Sequence, residues 1–340
     1  MATISLCMIV KDEKEKLLRC LESVKSIVDE IIITDTGESG LEAIKEGFGA
    51  KVFHYKWSDD FSAARNFSIS KAPSDWILIM DADEFFSESE AEALKRLVDL
   101  SKNFDVITLD VRNYSNNPHE VGFVPFSRRQ EGYLGYFPIR MIRLFRNRKG
   151  YKYENPIHEG IENSVAEKGG KMLHAGIFMC HLGSPTGSEE ERAKQLKYLE
   201  YSKKRLGINP KDVKACCDVA LIYFKFLSDH ENSKKYLKKA LEIDAYSLRP
   251  YIILGELYVN TGKLEEAAIL YKAALSIAPQ NESLHYNLGQ VCFVLGRKEE
   301  AVNHYRQALA FGCVHREEIS RKMAELENKG PSYSFSFSYG

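Results

Sequence analysis

The chain has 340 residues, 44% of them hydrophobic and 28% charged, with a formal net charge of -1. That length allows two domains with separate cores, and the near-neutral balance excludes a strongly basic nucleic-acid surface or a polyacidic tail. Seven cysteines without a C-x-x-C pair read as buried free thiols in a reducing compartment, so the expected location is the cytoplasm, with peripheral membrane contact left open.

The first apolar run, Ile4–Val10, has no basic leader and passes directly into Lys11-Asp12-Glu13. It is predicted as a strand, not a signal peptide, and no later run is long enough to span a bilayer. Leu17, Leu18, Leu21 and Val24 then recur at helical spacing. Residues 30–37 make a second buried strand that ends in Asp35, Thr36 and Gly37, followed by a helix over 41–48 and a strand over 51–55. This alternation predicts an α/β domain with a mainly parallel sheet. Ser62 is the expected N-cap of the next helix, whose first turn carries Arg65 and Asn66. A basic residue there opposes the helix dipole, so Arg65 reads either as a surface ion pair or as an anion-binding guanidinium.

The run Trp76–Met80 ends abruptly in Asp81-Ala82-Asp83-Glu84. Ligands of open α/β sheets bind beyond the carboxyl ends of the strands, where Asp-x-Asp can hold a divalent metal against a diphosphate. Capping of the following helix, Ser89–Leu100, is the plain alternative. Residues 106–111 alternate imperfectly, and Tyr114–Pro138 reads as a loop-rich, acceptor-side segment. Ile139–Arg146 and Tyr151–Tyr153 are predicted to pair as a hairpin whose Arg140, Arg143, Arg146, Arg148 and Lys149 read as a solvated basic edge, with contact to a phosphorylated ligand as the alternative. His158 and His181, near strand or loop ends, are candidates for metal or phosphate contact.

Residues 183–188 are small and turn-forming, marking a linker before a charged helix. Beyond it Leu254-Gly255, Gly262, Ala267, Tyr271 and Ala274-Leu275 recur as Leu288-Gly289, Gly296, Ala301, Tyr305 and Ala308-Leu309, with a weaker copy ending in Ala240-Leu241. The spacing is the tetratricopeptide period, so this half is predicted as stacked helix pairs. Residues 329–340 alternate Ser with aromatics and read as a disordered tail. The expected domains are 1–185, 186–328 and the tail 329–340.

Taken in order, Ile4–Val10 with Lys11-Asp12-Glu13, Ile31–Gly37, Trp57–Asn66, Asp81–Glu84, Ile157-His158-Glu159 and His181-Leu182-Gly183 resemble family-2 glycosyltransferases of the GT-A fold. The likeness is to the branch with C-terminal tetratricopeptide repeats that includes the sublancin-type S-glycosyltransferase. It implies a Rossmann-like GT-A domain followed by an all-α repeat domain. The implied activity is inverting, metal-dependent transfer from a nucleotide-sugar, a UDP-sugar by preference, to a peptide, saccharide or lipid-linked acceptor. The implied donor pocket draws on Val10, Lys11, Glu13, Asp35, Gly37, Arg65, Asn66, Asp81 and His158. Mg²⁺ or Mn²⁺ is expected at Asp81, Asp83 and His181, with Asp83 supporting the leaving group and Glu159, or second Glu84, as the base. Lys11-Asp12-Glu13 and Glu38-Ser39-Gly40 depart from the usual pattern and leave nucleotide and sugar open. The repeats suit a peptide or protein partner, or packing on the first domain. Two other readings stand beside this one: a catalytically idle scaffold, and a nucleotidyltransferase, which would want a Gly-rich phosphate loop that Lys11-Asp12-Glu13 does not supply.

Overall fold

A computed structural model describes residues 2–11, 13–37, 40–116, 123–182 and 189–328. The predicted linker and tail, Asp12, and Glu38-Ser39 lie outside the described residues. The chain divides into two compact units, residues 1–183 and 184–340.

The first unit opens with β1 (Ile4–Val10), α1 (Lys14–Val24), β2 (Glu30–Asp35), α2 (Glu42–Phe48), β3 (Lys51–His54), α3 (Phe61–Ser70) and β4 (Trp76–Ile79). The four strands are parallel in the order β3-β2-β1-β4. Along β1, Ile4, Leu6, Met8 and Val10 pack with Leu17 and Leu21 of α1, while Cys7 packs on the other face with Ile32, Ile77 and Ile79. With both faces covered, central parallel strands must be apolar throughout, which is why they read as unbroken hydrophobic runs. Each such side chain, fully buried, contributes about 1.5–3 kcal/mol.

Helix α3 is capped by Asp60, not by Ser62. Asp60 has extended backbone (φ -134°, ψ 99°), and its carboxylate accepts the Ala63 N–H at 2.9 Å and the Ser62 hydroxyl at 2.7 Å. Ser62 is already helical and serves the cap as a donor. Arg65 therefore sits in the second turn, where the dipole penalty has faded.

Beyond β4 the sheet changes character. The next elements are β5 (Glu84–Phe85), α4 (Glu88–Leu100), β6 (Val106–Ser115), β7 (Val124–Gln130), β8 (Tyr133–Arg146), α5 (Glu162–Glu167) and β9 (Met172–His181). The sheet continues β4-β8-β6-β9-β5, with β7 attached to β8. β8 runs antiparallel to both β4 and β6, β6 and β9 are parallel, and β5 is antiparallel to β9. The sheet is thus mixed, and mainly parallel only in its first half. Because β5 follows β4 directly in sequence yet lies at the far end of that path, the sheet curls around Asp81-Ala82-Asp83.

The expected hairpin of 139–146 with 151–153 does not form. β8 turns back on β7 through Glu131 (φ 51°) and Gly132 (φ 82°), the left-handed pair that a tight hairpin turn requires. Tyr151 and Tyr153 instead pack their rings on Phe145. With β4 on one side and β6 on the other, β8 is a central strand, so its arginines are no solvated edge. Arg140 pairs with Asp110 at 3.0 Å, Arg146 lies over the Trp76 ring, and Arg143 is buried.

The second unit comprises α6 (Glu189–Ile208), α7 (Val213–Lys225), α8 (His230–Ile243), α9 (Leu248–Asn260), α10 (Leu264–Ile277), α11 (Glu282–Val294), α12 (Lys298–Ala310) and α13 (Arg316–Asn328). α7 packs on α8, α9 on α10 and α11 on α12. The shared Gly and Tyr of the repeats have one cause. A Cβ at Gly255 would lie 2.4 Å from the Tyr271 ring, and one at Gly289 would lie 2.7 Å from the Tyr305 ring. Only glycine lets the two helices close over the tyrosine. Among the described residues no helix is long and apolar enough to cross a membrane.

The last repeat buries a polar group under α13. Glu318 accepts hydrogen bonds from the Tyr286 hydroxyl and from Gln290 Nε2, and His315 stacks on the Tyr286 ring with centroids 4.2 Å apart. Burial pushes His315 down from 6.5 to about 4, against a weaker upward pull from Glu318.

Gly289→Ala should destabilise the second unit by about 1–3 kcal/mol through overpacking, read as a lower urea midpoint. For His315 the unfolded chain takes up a proton near pH 6.5 that the folded chain refuses until about 4, so stability is lost as pH falls through that window. Unfolding midpoints measured between pH 7 and 4 should show this loss, and His315→Phe should flatten it.

Candidate active site

The antiparallel placement of β8 between β4 and β6 makes β1, β2, β4, β6 and β9 all run the same way. Their carboxyl ends therefore share one end of the sheet, which gathers Val10, Asp35, Asp81, Asn113 and His181. The apolar strand that precedes Asp81 is fully buried, and the acids that follow it need partners.

Arg65 supplies the first. Its side chain, 5% exposed, reaches from α3 to Asp81 (Nη2 to Oδ1, 3.1 Å) and to Glu159 (Nε and Nη2 to Oε1, 3.2 and 2.8 Å). Arg143 supplies the second: it pairs with Glu84 and lies 3.6 Å from the other oxygen of Asp81. Burial alone would raise Asp81, but Arg65 and then Arg143 outweigh it and hold this carboxyl well below the usual range. Glu84 is 1% exposed, and its second oxygen accepts the Asp81 N–H at 2.8 Å. Burial pushes Glu84 up to about 7, resisted by Arg143 and assisted by Asp81. With both oxygens engaged and no open face, Glu84 is a brace for the turn and not a base.

Asp83 belongs to a second group. Its Oδ1 lies 3.4 Å from His181 Nε2 and its Oδ2 lies 3.8 Å from Lys16 Nζ. Asn113 Nδ2 donates to the carbonyls of Val111 and Phe137, which leaves Oδ1 to face His181 Nδ1 at 2.7 Å. A carbonyl oxygen only accepts, so Nδ1 carries the hydrogen and Nε2 is aimed at Asp83. Burial lowers the His181 pKa, but Asp83 above all, then Glu84 and Asp81, leaves it raised on balance. Two acceptors facing each other demand a proton or a cation between them.

That geometry is the test of the expected metal. Among the described residues no group of three His, Cys, Asp or Glu side chains converges to hold an ion. The expected trio of Asp81, Asp83 and His181 is therefore divided, with Asp81 committed to arginines and Asp83 paired with His181. With the remaining positions open, a cation here would take its other ligands from phosphate and water: Mn²⁺ would be held by Asp83 and His181 together, whereas Mg²⁺, which prefers oxygen, would rest chiefly on Asp83.

The other expected residues separate into three situations. Val10 and Asp35 lie side by side in register, the Val10 carbonyl accepts the Thr36 N–H at 3.0 Å, and Asp35 Oδ1 accepts the Gly37 N–H at 2.9 Å. Lys11 is exposed at the mouth of the same strand, and Glu13 takes the N-cap position of α1 and pairs with Lys16. Asn66 has another role: its amide donates to the Tyr153 carbonyl at 2.8 Å and accepts the Tyr153 N–H at 2.9 Å. It thereby clamps the segment before Glu159 onto α3, committing one N–H and one lone pair of its amide to the backbone. His158 is exposed with φ 52°, in a loop closed by the Glu154 and Gly160 bridge. This left-handed turn presents Glu159 to Arg65.

Arg143, Asn113 and Lys16 are the site residues that sequence reasoning missed. The three-residue spacing of arginines inside an apolar run was the visible trace of Arg143; Asn113 and Lys16 left none.

The profile of glycosyl transferase family 2 matches residues 5–178, just over half of the chain, and tetratricopeptide profiles match 213–246, 255–296 and 283–311. A TPR repeat-containing protein of Synechococcus elongatus is 43% identical over 167 residues, covering 48% of this chain and 37% of that one. The prophage-derived glycosyltransferase SunS of Bacillus subtilis is 25% identical over 246 residues, 70% of this chain and 53% of that one. An uncharacterized glycosyltransferase of Rickettsia felis is 32% identical over 148 residues, 43% and 42% of the two chains. The matches thus span about half or less of these relatives' lengths.

Arg65→Met should destabilise the first unit by about 3–5 kcal/mol, because it leaves two carboxylates facing each other with their shared cation gone. Chemical unfolding of the variant checks this. Asp81→Asn in the same background should recover part of the loss, since it removes one of the opposed charges.

Proposed function

The chain belongs to glycosyl transferase family 2, and on that premise we propose that it moves a sugar from a nucleotide-sugar, by preference a UDP-sugar, to an acceptor hydroxyl or thiol with inversion. The observation that carries this reading is the placement of Asp81 and Asp83 beyond β4, at the sheet end shared with Val10 and Asp35. The base of the nucleotide would lie against Val10 and Asp35, and the diphosphate would lie toward Asp83.

In the proposed reaction the acceptor oxygen or sulfur bonds to the anomeric carbon from the face opposite the diphosphate. The carbon–oxygen bond to the diphosphate breaks with its electron pair leaving on the phosphate oxygen. Asp83 and His181 would hold Mg²⁺ or Mn²⁺, which when bound supplies Lewis-acid neutralisation of the departing charge. Asn113 fixes the tautomer of His181, as an outer partner does for a ligating imidazole. Arg65 and Arg143 hold Asp81 charged and still.

The acceptor proton needs a carboxylate. Glu159 spends Oε1 on Arg65, while Oε2 makes no hydrogen bond among the described residues. That open oxygen makes Glu159 the proposed base. The repeats of the second unit are the proposed surface for a peptide or protein partner.

The test is release of free nucleotide from a panel of UDP-, GDP- and CMP-sugars with Mn²⁺ and with EDTA. Turnover of one donor, suppressed by EDTA, is expected, and Asp83→Ala should lower it about a hundredfold or more, the usual cost of losing one electrostatic stabiliser. Absence of turnover with every donor would sink the reading. Unchanged activity in Asp83→Ala would refute the role given to that carboxylate.

A further inference from the structure

Lys16 keeps hydrogen-bonding capacity that the arginines around Asp81 have already committed. It stands in the first turn of α1, with its ammonium nitrogen 3.3 Å from Glu13 Oε1 and 3.8 Å from Asp83 Oδ2. The second distance is an ion pair, too long for a hydrogen bond. Lys16 and Asp83 line one cavity of about 230 Å³, together with Arg19, Ala82, Phe85 and Leu182. Sites that enclose a whole small-molecule ligand run from about 300 to 1,000 Å³, so this cavity suits one end of a longer ligand.

The other cations nearby are held in place. Arg65 and Arg143 are buried, and each faces two carboxylates. Turning either toward a ligand would strip a carboxylate of its buried partner. Arg19 gives both arms of its fork to Glu131 and lies 3.7 Å from the centroid of the Phe85 ring. Lys16 differs on each count. Its side chain is 41% exposed, as is that of Glu13. An ammonium carries three donors, and one of them goes to Glu13. An exposed pair of this kind adds little to stability, so water can replace it at small cost. The flexible four-carbon stem lets the ammonium move while Asp83 still faces His181.

We infer that Lys16 is a donor-binding residue whose ammonium leaves Glu13 for the diphosphate oxygens, so that the chain itself holds the diphosphate even without a divalent cation. The inference rests on the glycosyl-transfer reading for the nature of the ligand, a nucleoside diphosphate. A diphosphate and Asp83 are both anionic, and Lys16 lines the cavity with Asp83, within 4 Å of its carboxylate. A neutral ligand would give the ammonium no reason to exchange a carboxylate for it. A point charge with rotatable donors also suits phosphate oxygens that shift as the sugar–phosphate bond breaks, which a rigid guanidinium fork does not.

Isothermal titration calorimetry of the full chain in EDTA tests this with inorganic pyrophosphate, UDP and uridine. Pyrophosphate and UDP should bind. Lys16→Gln keeps a good helix former at this position and should weaken both about tenfold, the scale of a hydrogen bond to a charged group. Uridine carries no phosphate and should not distinguish the variant from the wild type. Lys16→Arg should restore most of the pyrophosphate affinity, and added salt should weaken pyrophosphate binding more in the wild type than in Lys16→Gln. Failure of pyrophosphate to bind in EDTA, equal pyrophosphate affinity in wild type and Lys16→Gln, or a loss that uridine shares would overturn the inference. Lys16-dependent pyrophosphate binding by a chain that turns over no donor would leave the diphosphate site standing and remove the transfer reading. Donor turnover with pyrophosphate binding indifferent to Lys16 would do the reverse.

Discussion

A single buried guanidinium organises the first unit. Arg65 joins α3, the end of β4 and the loop before α5, because Asp81 and Glu159 cannot share that space without a cation between them. Such a pair need not add net stability, since the cost of removing its charges from water offsets much of the attraction. Its effect is on conformation: with Arg65 in place, Asp81 has one orientation and Glu159 has one. Asn66, the next residue in α3, fastens the Tyr153 backbone and so fixes the approach of that loop.

The curl of the sheet depends on the same turn. β4 delivers Asp81, the chain reverses through Asp83, and β5 must then find β9, whose last residue is His181. Glu84 makes the reversal rigid by binding the Asp81 N–H with one oxygen and Arg143 with the other. Four elements, α3, β4, β8 and β9, meet at the three acids of Asp81-Ala82-Asp83-Glu84. Asp83 faces His181 only because Glu84 and Asp81 are already held.

Much of this was legible in the sequence where the signal was local. The unbroken apolar strands, the acids ending the run at Met80, and the repeated Gly and Tyr of the second unit each report a constraint within a few residues or one period. Ser62 misled because capping depends on which residue has extended backbone, and Asp60 stands only two positions away. Arg143 was misplaced because an arginine in an apolar run means a solvated edge or a buried pair according to the strand's neighbours, and those neighbours are set by pairings distant in sequence. Asn113 acts through a histidine 68 residues away, so nothing near it marks its role. The family resemblance named the acids and histidines together, whereas geometry divides Asp81 from the pair of Asp83 and His181 and leaves His158 exposed in its loop.

That division has an electrostatic consequence. Asp81, Asp83, Glu84 and Glu159 face Arg65, Arg143 and Lys16, so the cluster is close to neutral or slightly negative without any ligand. The raised proton affinity of His181 expresses that residual negative charge. The proposed diphosphate would bring further negative charge to this end of the sheet, where the arginines already face carboxylates and keep only the buried Arg65 Nη1 and Arg143 Nε without a partner. A cation arriving with the proposed donor would add positive charge here, and the gap between Asp83 and His181 Nε2 is where it would be held.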